Sequence, residues 1–448
     1  MRVEKPPEIP TLLFDGQCGF CRKWVDRLAE SSNDVDTRPY QEALTEFAQI
    51  PEEACERAVH WVDTDGSVCS GADAAFRFWA TSSRLGKIAL WKYETIPGFA
   101  PISEFLYRVI SASRPVTSFA VRLLWGQQML RPRFRVSGDL FLRSLGLIYV
   151  IAFLSLLPQV RGLIGSQGIL PVELTLRIVS DRFGSSSFIE YPTLLWFWST
   201  DTALVALCVL GALAGAVGAI TPYVWLPWCV AWATYLSLIT VGRAFLSFQW
   251  DALLLETGFL AIIHVLVHAH GWAAGKRRPS TFSASPHPLR AISWVYRWLL
   301  FRLMFSSGVV KLASLDATWW DLSALTRHFE TQPLPNVIAW YVHHLPRSFH
   351  TFSCVVMFAI ELVVPFLFFA PRRLRHLAAV LTIGFQVLIF LTGNYTFFNL
   401  LTIALCLWLI EDAGWPQAIR DRFKQSLTGH HANALRKWAI PAICLNLV

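Results

Sequence analysis

Residues 12–30 read LLFDGQCGFCRKWVDRLAE, and they decide the fold of the N-terminal part of the chain. The apolar run 12–14 ends at Asp15-Gly16, which is typical of a short buried strand followed by a turn. Trp24, Val25 and Leu28 then recur at helical spacing, so a helix with one apolar side is predicted to begin near the cysteines. The stretch therefore predicts a strand, a C-x-x-C motif and a helix in immediate succession.

Cys18 and Cys21 form the one cysteine motif among the nine cysteines of the chain. A helix N-terminus stabilises a thiolate on the first cysteine of C-x-x-C, and the second cysteine is placed to resolve a mixed disulfide. We predict Cys18 as the attacking thiol and Cys21 as the resolving thiol, with Asp15 accepting or relaying a proton. Two other interpretations stay open here: half of a zinc site, which would need a second Cys/His pair, and a structural or redox-inactive pair.

Residues 58–80, AVHWVDTDGSVCSGADAAFRFWA, predict two strands joined by a turn at Asp65-Gly66 and then a helix. Together with Asp15, Cys18 and Cys21, the stretches DGSVCSGADA (65–74) and LYRVISASR (106–114) resemble the DCC family of thiol-disulfide oxidoreductases. The resemblance implies a thioredoxin-like α/β fold and protein-disulfide reductase activity.

Composition separates this part from the rest of the chain. Of the 448 residues, 54% are hydrophobic and 16% charged, whereas soluble domains contain about 25% charged residues. Residues 1–115 contain 13 Lys and Arg against 17 Asp and Glu, and the remaining 333 residues contain 26 against 14. We therefore predict a soluble domain at 1–115, a basic linker at 116–142 and a membrane domain at 143–448, which excludes a wholly soluble enzyme. Loops that face anionic lipid account for the basic excess, so nucleic acid is not predicted as a partner.

The second part contains successive apolar stretches near the ~20 residues that a membrane span requires. We predict an all-α bundle of about eight transmembrane helices, near 143–158, 193–217, 222–242, 249–268, 291–313, 350–370, 376–393 and 395–410. The last apolar stretch, 439–448, is about half a span long and predicts either part of a ninth helix or an interfacial segment. Because residues 1–10 are polar and rich in proline, no secretory signal is expected.

Basic clusters predict the orientation of these helices. They are Arg131, Arg133, Arg135 and Arg143 before the first helix, Lys276, Arg277 and Arg278 after the fourth, Arg372, Arg373 and Arg375 after the sixth, and Arg420, Arg422, Lys424, Arg436 and Lys437 after the eighth. With eight helices, all four clusters lie on the side of the N-terminal domain, which is therefore expected to be cytoplasmic.

Ionisable residues inside predicted spans are costly in a bilayer and usually face the bundle interior. The candidates are Asp251, Glu256, Arg302, Lys311 and Glu361. Arg302 and Lys311 are nine residues apart and so lie on opposite faces of one helix, and Arg302 is expected to pair with Glu256 or Glu361. Such pairs either join helices without chemistry or form a polar site for a substrate or client. Arg297, near the predicted cytoplasmic end, is expected to snorkel towards the interface.

Histidines cluster in the loop that follows the fifth predicted helix, but no metal or other cofactor is predicted. The residues are His328, His343, His344 and His350. Adjacent histidines point about 100° apart on a helix, and no carboxylate repeats with them at the spacing of a ligand set.

Long stretches of the membrane part carry a second resemblance. GLIYVIAFLSLLPQVRGLIGSQGILP (146–171), FQWDALLLETGFLAI (248–262), LFRLMFSSGVVKL (300–312), HFETQPLPNVIAWYVHHLP (328–346), ELVVPFLFF (361–369) and GNYTFFNLLTIALCL (393–407) match, in order, the lipase maturation factor family. The resemblance implies a multi-pass membrane protein of the kind that, in the animal endoplasmic reticulum, assists the folding and assembly of secreted lipases. The family is remotely similar in architecture to the vitamin K-dependent carboxylases.

These observations predict a membrane-anchored protein-maturation factor with a fused cytoplasmic thiol-disulfide oxidoreductase domain. Its expected partners are the lipid bilayer, a client protein such as a secreted lipase, and a thiol redox partner. Because the cytosol is reducing, reduction of cytoplasmic partners is favoured over oxidation of exported clients. The two families in one chain favour a bacterial inner membrane, or the endoplasmic reticulum membrane for a eukaryotic chain.

Two alternatives to this function stay open. The first is a membrane-embedded enzyme that acts on a lipid or peptide substrate in a carboxylase-like manner through Glu256, Lys311 or Glu361. The second is a transporter or a non-catalytic scaffold.

Overall fold

The structure is a computed structural model that describes the chain except residues 31, 33–34, 127–128, 130–131, 276–287, 333, 335 and 429–448. Several predicted features lie outside the described residues, namely Arg131, Lys276, Arg277, Arg278, Arg436, Lys437 and the stretch 439–448. The chain divides into two compact units. The long segment of the first unit is Met1–Pro132, and the second unit begins at Arg133.

The N-terminal unit is built on a four-stranded sheet with the order β2-β1-β3-β4. The strands are β1 (Thr11–Phe14), β2 (Asp36–Pro39), β3 (His60–Val62) and β4 (Val68–Ser70). β1 is parallel to β2 and antiparallel to β3, and β3 and β4 form a hairpin. Its turn contains Gly66 at a φ of 80°, a conformation that favours glycine. The predicted first strand and the predicted hairpin are confirmed.

Helices cover both faces of this sheet. They are α1 (Gly19–Ala29), α2 (Tyr40–Ala43), α3 (Glu52–Arg57), α4 (Gly71–Ser82), α5 (Arg84–Thr95), α6 (Phe99–Ala112) and α7 (Arg114–Trp125). Because successive strand residues point to opposite faces, Leu13 packs with Phe47 on one side and Leu12 packs with Val25 on the other. Trp24, a member of the predicted apolar side of α1, is 39% exposed, because adjacent helical residues point about 100° apart.

The second unit is helical throughout its described part. Its helices are α8 (Arg135–Leu156), α9 (Val160–Ile164), α10 (Val172–Phe183), α11 (Ser187–Glu190), α12 (Asp201–Ile220), α13 (Trp225–Gly242), α14 (Gln249–Gly275), α15 (Pro288–Ala313), α16 (Ala317–Trp320), α17 (Leu325–Thr331), α18 (Val337–His343), α19 (Arg347–Phe358), α20 (Arg372–Thr392), α21 (Phe398–Cys406) and α22 (Gln417–Thr428). A π-helical turn, Ala359–Val363, and a 3-10 segment, Val364–Phe369, continue α19. The predicted linker 116–142 contains most of α7 and the beginning of α8.

Six helical stretches among the described residues are long and apolar enough to cross a membrane. They are Arg135–Leu156, Asp201–Ile220, Trp225–Phe245, Gln249–His268, Arg347–Phe369 and Arg372–Thr392. The prediction of about eight helices is therefore confirmed for six. The predicted helix at 291–313 is present as α15, which Arg297 and Arg302 make less apolar. The predicted helix at 395–410 is the shorter apolar helix Phe398–Leu409, which spans only about 18 Å at 1.5 Å per residue.

Glycines set the distance between α8 and α12. A Cβ atom on Gly146 would lie 2.6 Å from the carbonyl oxygen of Gly215, and one on Gly215 would lie 2.8 Å from the carbonyl oxygen of Gly146. No real Cβ fits at these distances, so the two backbones are in direct contact there. Small residues permit this close approach between helices in membranes.

Arg297 is buried within the second unit, so the prediction that it snorkels towards the interface is wrong. Its side chain is 3% exposed and donates to the carbonyl oxygen of Trp408 at 3.0 Å. The guanidinium carbon also lies 4.8 Å from the centre of the Phe134 ring. The Trp408 carbonyl and the Phe134 ring thus give the guanidinium the polar and cation–π contacts that it would otherwise find at the membrane–water interface.

Candidate functional site: a dithiol pair and two intramembrane ion pairs

The C-x-x-C pair lies at the N-terminus of α1, directly after β1. Cys18 is the N-cap residue of this helix, and its Sγ accepts a hydrogen bond from the Cys21 N–H group at 3.3 Å. The Cys21 thiol also donates to Cys18 Sγ, with the two sulfur atoms 2.7 Å apart. The first N–H groups of a helix lack intrahelical acceptors, so a thiolate at this position accepts from one of them and is stabilised by the helix dipole.

The two thiols differ in acidity. The Cys21 thiol, the backbone N–H of Cys21 and the Arg114 guanidinium together lower the pKa of Cys18 to about 6, although burial opposes this shift. The pKa of Cys21 is raised by its hydrogen bond to Cys18, then by burial and by the charge on Cys18. At pH 7 Cys18 is therefore mostly thiolate, while Cys21 keeps its proton. Burial raises the pKa of Cys55 to about 11, so that cysteine also stays a thiol.

Asp15 follows β1 and is held by three groups. Its Oδ1 accepts from the Gln17 N–H at 2.9 Å and from Gln41 Nε2 at 3.0 Å, and its Oδ2 lies 3.6 Å from a guanidinium nitrogen of Arg114. The charge on Asp15 contributes to the raised pKa of Cys21. The carboxylate therefore acts on the cysteine pair through its charge.

Sequence reasoning did not assign Tyr107 and Arg114 to the site. The Tyr107 hydroxyl accepts from the Val59 N–H at 2.9 Å. Arg114 faces Asp15 and donates to the carbonyl oxygen of Arg57 at 3.1 Å. Both residues lie within the stretch 106–114, so the signal was present in the sequence. The sequence alone does not show that this stretch lies next to the cysteines, because the two are about 90 residues apart in the chain.

The pH dependence of alkylation tests the assignment of Cys18 as a thiolate. In the full chain, the rate of Cys18 alkylation by iodoacetamide is expected to rise with pH with a midpoint near 6, because only the thiolate reacts. Below that midpoint the rate falls about tenfold per pH unit. Peptide mapping by mass spectrometry measures the rate at Cys18 alone.

Arg114→Met is expected to move this midpoint upward, because it removes a positive charge that favours the thiolate. Arg108→Met, an exposed arginine of α6, is the matched control and is expected to leave the midpoint in place. A wild-type midpoint between 8 and 9 would contradict the thiolate assignment. An unchanged midpoint in Arg114→Met would contradict the role of Arg114.

Four of the five intramembrane candidates form two separate ion pairs. Glu256 of α14 pairs with Arg302 of α15, and Lys311 Nζ lies 2.8 Å from both carboxylate oxygens of Glu361. Sequence reasoning left open which acid pairs with Arg302, and the structure shows Glu256. Because Arg302 and Lys311 lie on opposite faces of α15, this helix is tied to two different neighbours.

The two ion pairs differ in burial. The side chains of Glu256 and Arg302 are 47% and 50% exposed, whereas that of Glu361 is 6% exposed and that of Lys311 23%. Lys311 also lies 5.6 Å from the centre of the Trp319 ring. Glu361 is part of the π-helical turn Ala359–Val363, and such turns are frequent at functional sites.

Asp251, the fifth candidate, caps the N-terminus of α14. Its Oδ2 accepts from the Phe248 N–H at 3.2 Å, and its Oδ1 accepts from the Tyr235 hydroxyl at 2.6 Å. A carboxylate in the first turn that reaches back to the N-cap N–H is one half of a capping box. Tyr235 belongs to α13, so this buried carboxylate joins α14 to α13 and also caps α14.

The loop histidines have separate neighbours. His328 lies next to the Tyr395 hydroxyl, His343 next to Glu330, His344 next to the carbonyl of Trp340, and His350 next to the carbonyl of His343. Within the part of the chain that the structure describes, no group of three or more His, Cys, Asp or Glu side chains is arranged to hold a metal.

Comparison with known proteins confirms both resemblances. Residues 136–417 match the lipase maturation factor transmembrane domain, and residues 12–119 match the DCC1-like thiol-disulfide oxidoreductase family. Lipase maturation factor 2 from Homo sapiens is 47% identical over 292 residues, which cover 62% of this chain and 40% of the relative. The Xenopus tropicalis protein of that name is 44% identical over 286 residues, covering 62% and 39%. Lipase maturation factor 1 from Mus musculus is 37% identical over 296 residues, covering 62% and 48%.

No solved structure matches the chain. The chain spans about two fifths of the length of the lipase maturation factor 2 relatives that it matches. The transmembrane family model covers more than half of the chain. The chain therefore belongs to the lipase maturation factor family of multi-pass membrane proteins, and its N-terminal part is a DCC1-like thiol-disulfide oxidoreductase domain.

Proposed function

We propose that the N-terminal domain is a protein-disulfide reductase, held at the cytoplasmic side of a membrane by the lipase maturation factor bundle. The observation that carries the proposal is the difference between the two thiols. Cys18 at the helix N-cap has a pKa of about 6, and Cys21 behind it keeps its proton. The parallel β1–β2 pair with α1 between them, followed by the antiparallel β3–β4 hairpin, supports the thioredoxin-like fold that the family resemblance implies.

In the proposed cycle the Cys18 thiolate attacks one sulfur of a substrate disulfide. A Cys18–substrate disulfide forms, and the other substrate sulfur leaves as a thiolate that takes up a proton from solvent. Cys21 then loses its proton, with Asp15 as the proposed relay, and attacks Cys18 Sγ. The Cys18–Cys21 disulfide forms and the second substrate thiol is released. The substrate gains two electrons, so a dithiol redox partner must reduce the cysteine pair before the next turnover.

The orientation rests on a count of eight crossings. The six long apolar helices alone would place Arg133 and the arginines at the start of α20 on opposite sides of the membrane. If α15 and Phe398–Leu409 also cross, Arg133, the start of α20 and α22 all lie on one side, together with the N-terminal domain. Since basic residues concentrate on the cytoplasmic side, this arrangement supports eight spans and a cytoplasmic domain.

The matched relatives are named for lipase maturation, which supports a lipase as the first client to test and a bilayer setting for the interaction. The cytosol keeps most thiols reduced, so the domain would reduce a cytoplasmic partner or the cytoplasmic part of a client. The presence of both families in one chain supports a bacterial inner membrane as the location.

Disulfide reduction by the purified full chain in lipid nanodiscs tests the proposal. With insulin as substrate and dithiothreitol as reductant, the wild-type chain is expected to accelerate insulin reduction over the uncatalysed rate. Cys18→Ser is expected to abolish the acceleration because it removes the attacking sulfur. Cys69→Ser, a half-buried cysteine with a raised pKa, is the matched control and should retain it. A wild-type rate no higher than that of Cys18→Ser would refute the reductase function.

The ion pair of Lys311 and Glu361 favours a second candidate, a polar substrate or client site inside the bundle. The observation that favours it is the position of Glu361 in a π-helical turn, facing an amine that is largely enclosed. Loss of client maturation in a folded Lys311 variant, with Cys18→Ser fully active, would support this candidate. The opposite pattern would support the reductase.

A further inference from the structure

Helix α6 of the N-terminal domain presents its apolar side to the outside. Ile102, Phe105, Leu106, Val109 and Ile110 are each between 43% and 63% exposed. Their spacing is that of one continuous helical stripe, which in a soluble protein faces the core. The amphipathic pattern of α6 is therefore inverted.

Hydrogen bonds on the opposite side hold α6 in this orientation. Glu104 accepts from two backbone N–H groups at the start of α4, at 3.1 and 3.3 Å, and from the Tyr93 hydroxyl at 2.9 Å. The Tyr107 hydroxyl accepts a backbone N–H ahead of β3, and Ser111 donates to a carbonyl at the end of α3. If α6 turned so that the apolar stripe faced inward, these hydrogen bonds would break and the groups that form them would lose their partners. The outward orientation of the stripe is therefore part of the fold.

Two of the helices that contact α6, namely α5 and α7, extend this surface. Exposed apolar side chains on α5 are Leu85, Ile88 and Trp91, and those on α7 are Val116, Phe119 and Leu123, each between 48% and 70% exposed. With the stripe of α6, these residues form what we call the α5–α7 surface. Soluble monomers rarely expose a contiguous apolar area of this kind, and such areas mark an interaction site.

Charge identifies the partner that this surface fits. Residues 84–125 contain six Lys and Arg against two Asp and Glu, whereas residues 1–83 contain eight against fifteen. Glu104 is engaged on the inner side of α6 and Arg114 faces Asp15, which leaves five basic residues and one acid in this segment. Trp, Phe and Leu combined with Lys and Arg are typical of helices that lie on an anionic lipid surface. The first membrane helix begins at Arg135, ten residues after α7 ends at Trp125, so the bilayer is within reach.

We propose that the α5–α7 surface binds the surface of the bilayer that anchors the chain. The α6 stripe inserts at the boundary of headgroups and acyl chains, and the exposed Lys87, Lys92, Arg108 and Arg122 contact lipid phosphates. Since Tyr107 and the neighbouring Arg114 lie on the inner side towards the cysteines, the dithiol is then held roughly one helix diameter, about 10 Å, from the lipid. Neither lipid binding nor this placement of the dithiol depends on the proposed reductase function.

Photocrosslinking distinguishes lipid from protein partners. Phe105→p-benzoylphenylalanine places a photoreactive group in the stripe of the full chain, and Trp24→p-benzoylphenylalanine is the matched control at an exposed aromatic position on α1. In nanodiscs of phosphatidylcholine with phosphatidylglycerol, illumination is expected to give lipid adducts at position 105 at least about fivefold more often than at position 24. Mass spectrometry of the crosslinked peptides counts the adducts.

A charged substitution in the stripe and a change of lipid composition supply the controls. The added change Val109→Glu, at an outward position, should reduce lipid adducts at position 105 severalfold, and nanodiscs of phosphatidylcholine alone should also reduce them. Crosslinks from position 105 to a second copy of the chain or to another protein, in place of lipid, would overturn the proposal. So would equal lipid adducts at positions 105 and 24. Insulin reduction, measured on the same samples, reports the reductase function separately.

Discussion

Glu361→Met is expected to lower the free energy of unfolding of the membrane bundle by about 3–5 kcal/mol, which is typical when one partner of a buried ion pair is removed. The largely enclosed Lys311 amine then loses Glu361, both of whose carboxylate oxygens lie 2.8 Å from Nζ. Lys311→Met is expected to have a similar effect, because it leaves the carboxylate, only 6% exposed, without a cation. Equilibrium unfolding of the full chain in mixed detergent micelles measures the change.

The double variant Lys311→Met/Glu361→Met is the control for this prediction. Both charges are absent, and methionine fills the space of either side chain without a polar group, so most of the lost stability is expected to return. Glu256→Met should have a smaller effect, because about half of that side chain and of its partner Arg302 is not enclosed by protein. Additive losses in the double variant would show that the two residues do not stabilise each other. A stable double variant also allows the second candidate function to be tested without unfolding.

If the proposed mechanism holds, Cys21→Ser is expected to convert the domain from a reductase that turns over into one that traps its substrates covalently. The serine hydroxyl can donate to Cys18 Sγ in place of the lost thiol, and the backbone N–H of residue 21 and Arg114 remain, so Cys18 still attacks. No second thiol is left to resolve the mixed disulfide. Turnover of a disulfide substrate should fall by about 10³-fold or more. In cells, adducts of the chain with its protein partners should accumulate on non-reducing gels and disappear with dithiothreitol, and their mass spectrometry would identify the partners.

The matched controls separate trapping from nonspecific oxidation. Cys18→Ser should give no adducts, since Cys21 is only partly exposed and burial, which does not depend on Cys18, still raises its pKa. The variant with both cysteines replaced should behave in the same way. Equal adduct levels in Cys18→Ser and Cys21→Ser would contradict the assignment of attacking and resolving thiols.

Local patterns in the sequence were sufficient for the framework of the N-terminal domain. The apolar run at 12–14, the cysteine spacing and the turn at Asp65-Gly66 each depend on residues close together in the chain, and each appears in the structure as predicted. Arg114 was not predicted as part of the site, because its contact with Asp15 joins residues almost 100 positions apart. The inverted α6 was missed for the same reason. Periodicity identifies an apolar stripe but does not tell which side of the helix the neighbouring elements bind.

In the membrane domain the sequence by itself determined that apolar helices cross a bilayer, which basic clusters flank them and which charges they contain. These properties depend on composition within about 20 residues. The tertiary structure alone decided that Glu256 pairs with Arg302, that Glu361 pairs with Lys311, and that Arg297 is buried against Trp408. The physical reason is rotation about the helix axis. Successive residues point about 100° apart around a helix, so the rotation of the whole helix decides which neighbour each side chain meets. Packing between helices, as between α8 and α12, fixes this rotation, and hydropathy does not.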